Sequence, residues 1–285
     1  MHDILSTIRM QYEHFTRAEK RVADYVLSNP QKVVYLSIND LAEMCGVGET
    51  SVFRFCRDLN QKGYQDFKMH VAQAIAASSE EDAAKQLTGA VSFRDTLPEV
   101  CQKVLSSSIT ALQETYQAVR CEELSEAVQW MIDAVAIHFF GVGGSMVTAL
   151  EAKSRFIRIT PKVHMSEDLH LQMMEAALMT ERDVAVLFSY SGATKDTLDI
   201  ARRAKEAGAR LIAITRYQKS SLSKLCDVAL ICGANEGPLQ GGSMAVKMSQ
   251  FFLLDVLYLE YFKQTYEAST MRRAQTAAAI SEKLQ

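Results

Sequence analysis

The stretch DVAVLFSYSGATKDT, residues 183–197, decides the fold. Its apolar run at 184–189 is short and continuous, the pattern of a strand buried on both faces. A serine- and glycine-rich turn ends the run. A helical stretch at 198–207 follows, closed by Gly208. Working outward, the same alternation recurs. Apolar runs at 134–140, 211–215 and 228–232, and a shorter one near Val163, are separated by helical segments. Strands joined through helices make parallel βαβ units. The C-terminal part is therefore predicted to be an α/β domain with about five parallel strands in a doubly wound sheet.

The N-terminal part reads as helices only. Thr16-Arg17-Ala18-Glu19 and Ser37-Ile38-Asn39-Asp40 both fit capping boxes, in which a hydroxyl and a carboxylate satisfy free amides at a helix start. Val22, Tyr25, Val26 and Asn29 keep a helical spacing that Pro30 is expected to stop. Within LAEMCGVGETSVFRFCRDL, residues 41–59, Ala42 is small and Gly46 lies four residues later. Val47, Val52 and Phe55 are apolar. A helix-turn-helix needs this set: close approach at the small residue, a left-handed turn at glycine and an apolar wedge between the helices. On this spacing alone, any three-helix packing motif serves equally well.

The polar segment 76–96, with Glu80, Glu81 and Asp82 in succession, is the expected boundary. A new helix is expected at Pro98. Its Leu105, Ile109, Leu112, Tyr116 and Val119 predict a stripe buried within its own domain. The expected division is an all-α helix-turn-helix domain at 1–76, a linker at 77–97 and an α/β domain at 98–285. The whole chain of 285 residues, with 48% hydrophobic content and 31 Lys+Arg against 34 Asp+Glu, excludes disorder and fibrous repeats. Residues 251–262 are the densest apolar stretch. They are too short to span a bilayer and carry Asp255 and Glu260, so no membrane association is expected. These residues are read either as core or as a subunit contact. The six cysteines form no CxxC pair and lack zinc spacing, so reduced, mostly buried thiols in a cytoplasmic protein are expected, with no metal.

Two turns carry chemistry: GVGGS at 141–145 and SYSGAT at 189–194, each directly after a strand run. Such turns expose amides at a helix start, where the helix dipole favours an anion. Glycine admits close approach, and hydroxyls add donors. The first turn lacks the third glycine of a dinucleotide fingerprint, and no Walker lysine motif occurs, so no cofactor is expected. FGVGGS together with FSYSGATKDT resembles the SIS, or sugar isomerase, domain over residues 120–260. That resemblance implies a phosphosugar site, with Ser189, Ser191 and Thr194 at the phosphate, Ser145 near the sugar, and Gly143 and Gly192 giving close backbone approach. GVGETSVFRFCRDLNQKGYQDFKMHVAQAI and TRAEKRVADYVLSNP resemble the RpiR-type transcriptional regulators over most of residues 1–76. Two departures stand out. Gly48 replaces a capping serine, and Asn60-Gln61 replaces a Gly-Phe pair.

If residues 50–59 form a recognition helix, Thr50, Ser51 and Arg54 face base edges, and Arg57, Lys62 and Lys68 face phosphates. Without the resemblance, Arg54 and Arg57 read as solvated arginines. Residues 1–76 hold nine Lys+Arg and nine Asp+Glu, so affinity would rest on a few placed cations, doubled in a homodimer or homotetramer. An aldose–ketose isomerase, the alternative, needs an acid/base group. Glu236, Glu175, His164 and His170 are the candidates, and none sits in a recognisable motif. A regulator of sugar or amino-sugar metabolism, without turnover, is the expected function, its operator binding modulated by a phosphosugar.

Overall fold

The computed structural model describes residues 3–78, 86–88, 91–234, 236–237 and 243–281. The chain divides into two compact units, Met1–Ser107 with Asn235–Ser243, and Ser108–Ala234 with Met244–Gln285.

The first unit begins with six helices: α1 (Ile4–Gln11), α2 (Arg17–Ser28), α3 (Pro30–Val33), α4 (Ile38–Cys45), α5 (Glu49–Asp58) and α6 (Tyr64–Ser78). Both expected capping boxes form, Thr16 with Glu19 on α2 and Ser37 with Asp40 on α4. The run stops as expected: α2 ends at Ser28 with a non-helical Asn29 as its cap. Pro30 then takes the first position of the separate helix α3, where its missing N–H costs nothing. Gly46 closes α4 in the left-handed conformation, φ +62°. Its carbonyl accepts a hydrogen bond from Arg21 at 3.2 Å. Gly48 caps α5 without a side chain. Asn60 takes φ +58°, so it supplies the left-handed turn after α5 that a glycine otherwise would. Phe55 is fully buried. Its ring meets Phe15, just ahead of α2, at 5.1 Å and Phe67 of α6 edge-on at 5.7 Å, and α5 packs against α2, α4 and α6.

The expected linker falls partly outside the described residues. Its described parts hold the end of α6, a short antiparallel pair, β1 (Gln86–Thr88) with β2 (Val91–Ser92), and the first residue of α7 (Leu97–Ala118). The chain boundary at Ser107 falls within α7.

The second unit continues with α8 (Cys121–Asp133), β3 (Ile137–Gly141), α9 (Met146–Phe156), β4 (Val163–His164), α10 (Leu169–Ala177), β5 (Val184–Phe188), α11 (Lys195–Glu206), β6 (Arg210–Thr215), α12 (Ser221–Leu225), β7 (Val228–Ile231), α13 (Met244–Gln264) and α14 (Tyr266–Ser281). The five strands β3 to β7 are parallel, in the order β4-β3-β5-β6-β7. Side chains alternate between the two faces of the sheet. Phe139, Val186 and Ile212 join α8, α9 and α13 in one core. Phe140, Leu187 and Leu211 join α10, α11 and α12 in the other. Residues 251–262 are mainly core, through Leu253, Leu254, Leu257 and Tyr261. Among the described residues no helix is long and apolar enough to cross a membrane.

Two expectations are corrected. The α7 stripe is not buried: Leu105, Ile109 and Tyr116 are exposed, and the buried residues are Ala111 and Thr115. The small face packs because a backbone segment lies against it. Lys68 does not face solvent or phosphate. It is 4% exposed, and its Nζ donates to the Leu36 carbonyl at 3.1 Å beside the Tyr64 ring. Burial pushes its pKa down to about 8, against a smaller opposing pull from Asp40. The cysteines divide: Cys45, Cys56 and Cys232 are buried, Cys226 is half-buried, and Cys101 and Cys121 are exposed. Burial pushes the Cys56 thiol up to about 12, well away from reactivity.

Below pH 8 the native state must hold a buried ammonium that the unfolded chain hydrates freely. The unfolded state thus binds this proton more tightly, and the cost fades as pH rises through 8 toward the ordinary lysine value. Lys68→Met keeps the buried stem. It also leaves the Leu36 carbonyl satisfied by the Tyr64 hydroxyl at 3.1 Å. The variant is expected to be more stable than the wild type at pH 7, by about 1–3 kcal/mol. The gap should narrow by pH 9. Paired urea titrations at the two pH values check this, and a pH-independent gap would contradict the buried charge.

Candidate functional site

The order of the strands reverses between β3 and β5. β4 lies on one side of β3, and β5, β6 and β7 lie on the other. Open α/β sheets hold ligands in the crevice at the carboxyl ends of the strands flanking such a reversal. Here the register pairs Gly141 with Phe188, the last residues of the two strands. The two serine- and glycine-rich turns therefore leave the sheet side by side, one strand spacing apart, about 4.8 Å.

The first turn passes through Val142 into a 3-10 turn, Gly143–Ser145, and then α9. Gly141 is required by proximity: an added Cβ would lie 2.6 Å from the Ser145 carbonyl oxygen. Gly143 is required by conformation, φ +57°, and is exposed with nothing within 4 Å of an added Cβ. Ser145 is half-buried and does not cap α9 with its side chain. The second turn starts at Ser189, buried, whose N–H extends the sheet ladder to the Ile214 carbonyl at 3.1 Å. Ser191 Oγ accepts from the Ala193 N–H at 3.2 Å. Gly192, φ +58°, lies against α12. An added Cβ would sit 2.5 Å from Ser220 Cβ and closer still to its Oγ. Thr194 is exposed and precedes α11 without capping it. The first amides of α11 are thus left without a side-chain partner from Thr194, with the positive end of the helix dipole behind them.

All six expected ligand residues, Gly143, Ser145, Ser189, Ser191, Gly192 and Thr194, lie in these two adjoining turns. Sequence reasoning missed two supports. Ser220 caps α12 through the Ser223 N–H at 3.1 Å and sets the floor under Gly192. Gln172 on α10, fully buried, donates from Nε2 to the Gly141 carbonyl at 3.1 Å and fixes the end of β3. A serine before a short helix is a readable signal. Gln172 gives none, because its partner is 31 residues away.

None of the acid/base candidates is a residue of these two turns. Glu175 accepts from the Ser166 hydroxyl and lies 3.4 Å from His138 Nδ1. His138 stacks on His164, with ring centres 4.8 Å apart. Burial holds the His138 pKa below its ordinary value against the opposing hydrogen bond from Glu175. His138 and His164 sit opposite one another on β3 and β4. His138 lies three residues before Gly141, about 10 Å back along the strand. His170 is exposed on α10. Glu236 accepts from the Ser243 N–H at 3.1 Å, in the segment grouped with the first unit.

In the first unit, α5 presents Thr50, Arg54 and Arg57 exposed and Ser51 half-buried, with Lys62 exposed just beyond. Phe53 was not expected as a functional residue. It is 46% exposed on the same helix, between these polar groups. Lys68 is not part of this surface, being buried against the Leu36 carbonyl.

A model of the helix-turn-helix domain, rpiR family, matches residues 2–78, and a model of the SIS domain matches residues 131–260. An HTH-type transcriptional regulator of Caldanaerobacter subterraneus is 34% identical over 284 residues, covering 96% of this chain and 99% of that one. The HTH-type transcriptional regulator HexR of Pseudomonas aeruginosa is 31% identical, covering 90% and 88%. Among solved structures, the Vibrio vulnificus NanR protein complexed with ManNAc-6P superposes with a TM-score of 0.86. It is 29% identical, covering 98% of each chain.

The two left-handed glycines make a graded test. Gly143→Ala should cost about 1 kcal/mol, the left-handed penalty alone. Gly192→Ala adds the collision with Ser220 and should cost about 3 kcal/mol. Denaturant titrations of the two variants should rank them in that order. Equal costs would mean that α12 does not brace the second turn.

Proposed function

This chain belongs to the rpiR family of helix-turn-helix transcriptional regulators and carries a SIS domain, and from that premise we propose that a phosphosugar bound at the β3–β5 crevice modulates its operator binding. One observation carries the reading: two anion-ready turns, neither with a carboxylate among its residues, leave adjoining strands at the sheet's reversal. A phosphate there takes the amides at the start of α11 and the hydroxyls of Ser189, Ser191 and Thr194. The sugar extends toward Ser145 and Gly143. NanR, similar over the whole chain, is complexed with ManNAc-6P, which supports an amino-sugar phosphate or a related hexose phosphate as the effector.

α5 enters the major groove. Arg54 reads a guanine edge, while Thr50 and Ser51 reach bases or phosphates. Phe53 adds an apolar contact suited to a thymine methyl group. Arg57 and Lys62 neutralise phosphates, and binding weakens with salt. With so few cations per chain, a homodimer on a pseudo-palindromic operator supplies the affinity. The protein acts in the cytoplasm, where both DNA and sugar phosphates are found. We read it as a sensor without turnover, because neither turn carries a carboxylate or a histidine and Glu175 is already engaged by His138 and Ser166.

Arg54→Ala should weaken operator binding by about 1–3 kcal/mol and relax selection at one base pair, as read by mobility shift against a library of operator variants. Unchanged selectivity would place the base-reading face elsewhere. Ser191→Ala combined with Thr194→Val should abolish the rise in Tm given by N-acetylmannosamine 6-phosphate or hexose 6-phosphates while leaving DNA binding intact. An unaltered ligand titration would rule out the phosphate position. Robust isomerase turnover on the same sugars would replace the sensor reading with an enzymatic one.

A further inference from the structure

The chain passes between its two units at three points, after Ser107, after Ala234 and after Ser243. Two of these crossings are tied together inside the second unit. On α7, the Thr115 hydroxyl accepts from the Gly233 N–H at 2.8 Å, and Glu114 Oε2 accepts from the Ala234 N–H at 3.2 Å. The approach is tight enough that only glycine fits at 233. An added Cβ there would lie 2.6 Å from both Glu114 Cβ and the Thr115 nitrogen. Ala234 is held at φ +82°, a conformation an alanine adopts only under constraint.

The same knot reaches the second ligand turn. The Tyr190 hydroxyl donates to the Ala234 carbonyl at 3.1 Å, so both backbone groups of the strained residue are engaged. The Tyr190 carbonyl in turn accepts from the Arg216 N–H at 3.0 Å and from the Thr215 hydroxyl at 3.2 Å. The Arg216 guanidinium lies 3.9 Å from Glu114. Tyr190 stands between Ser189 and Ser191, within the turn read above as the phosphate site. A shift of that turn cannot leave Ala234 undisturbed.

We propose that Glu114 is a positioning residue that couples occupancy of the 189–194 turn to the two chain connectors at Ser107 and Ala234. The inference rests on the phosphosugar reading of that turn. Glu114 touches no expected ligand residue. It joins α7 to Ala234 and Arg216, and α7 runs on unbroken into the residues of the first unit. A ligand that repositions Tyr190 changes the hold on a strained residue, and strained packed segments have discrete alternatives rather than a continuous range. The differential free energy of the two arrangements is what the ligand must supply.

The test is hydrogen exchange on the full chain with and without N-acetylmannosamine 6-phosphate, with inorganic phosphate in parallel, alongside titration of DNA from upstream of its own gene. In the wild type, ligand should change exchange in both 189–194 and 108–118, and should change DNA affinity about tenfold. Glu114→Gln keeps the acceptor for Ala234 but loses the charge facing Arg216. Thr115→Val keeps the shape but loses the bond to Gly233. Both variants should retain the ligand effect at 189–194, lose it at 108–118, and show less than about a twofold ligand effect on DNA. Protection at 189–194 with a wild-type response at α7 and DNA in both variants would overturn the coupling alone. No ligand effect at 189–194 in the wild type would overturn the phosphate-turn reading, and the coupling with it.

Discussion

The register that sets Gly141 opposite Phe188 is the constraint on which the second unit depends. It brings two strand ends level at the place where the winding of the sheet reverses. Helices then leave toward opposite faces, and the amides of both turns are left at the edge between them. Everything around serves to hold that line. Gln172 fixes the carbonyl at the end of β3, Ser220 braces Gly192, and the ladder continues one residue past β5 through Ser189. Two cores, one on each face, make the sheet too costly to slip, because a one-residue shift would exchange Phe139 with Phe140 between them.

The helix-turn-helix is held by a different logic, in which local signals suffice. Capping boxes start α2 and α4, a left-handed glycine ends α4, and a left-handed asparagine ends the chain's path out of α5. Phe55 then locks α5 through a tilted contact with Phe15 and an edge-to-face contact with Phe67. The buried ammonium of Lys68 runs against this economy. The Leu36 carbonyl that it meets is one that Tyr64 also serves, and burial disfavours its charge, which lies inside the fold and not on its surface.

The chain boundary at Ser107 falls in α7, a helix whose apolar side chains are largely exposed and whose small residues are buried. α7 gives Ala111 and Thr115 to the interior because a glycine-bearing segment needs to approach its backbone. The periodicity of Leu105, Ile109 and Tyr116 correctly marks a helix but says nothing about which face is covered. The tightest approach, at Gly233, follows small residues and not the apolar stripe.

Much of the fold was legible without coordinates. Strand number, parallel pairing, helix starts and the two turns follow from periodicity and from residues within a few positions of one another. Local sterics and backbone hydrogen bonding dictate those features. The identities of Gly143, Gly192 and Gly46 already encode left-handed turns, since other residues pay for that conformation. What only the tertiary structure decided involves partners far apart in the chain. The adjacency of β3 and β5, the burial of Lys68 beneath Leu36, the Gln172 support and the Glu114–Ala234 contact across 120 residues are of this kind. Each depends on where long-range packing brings the backbone. A lysine, a glutamine or a glutamate looks the same in sequence whether it ends in water or against a carbonyl.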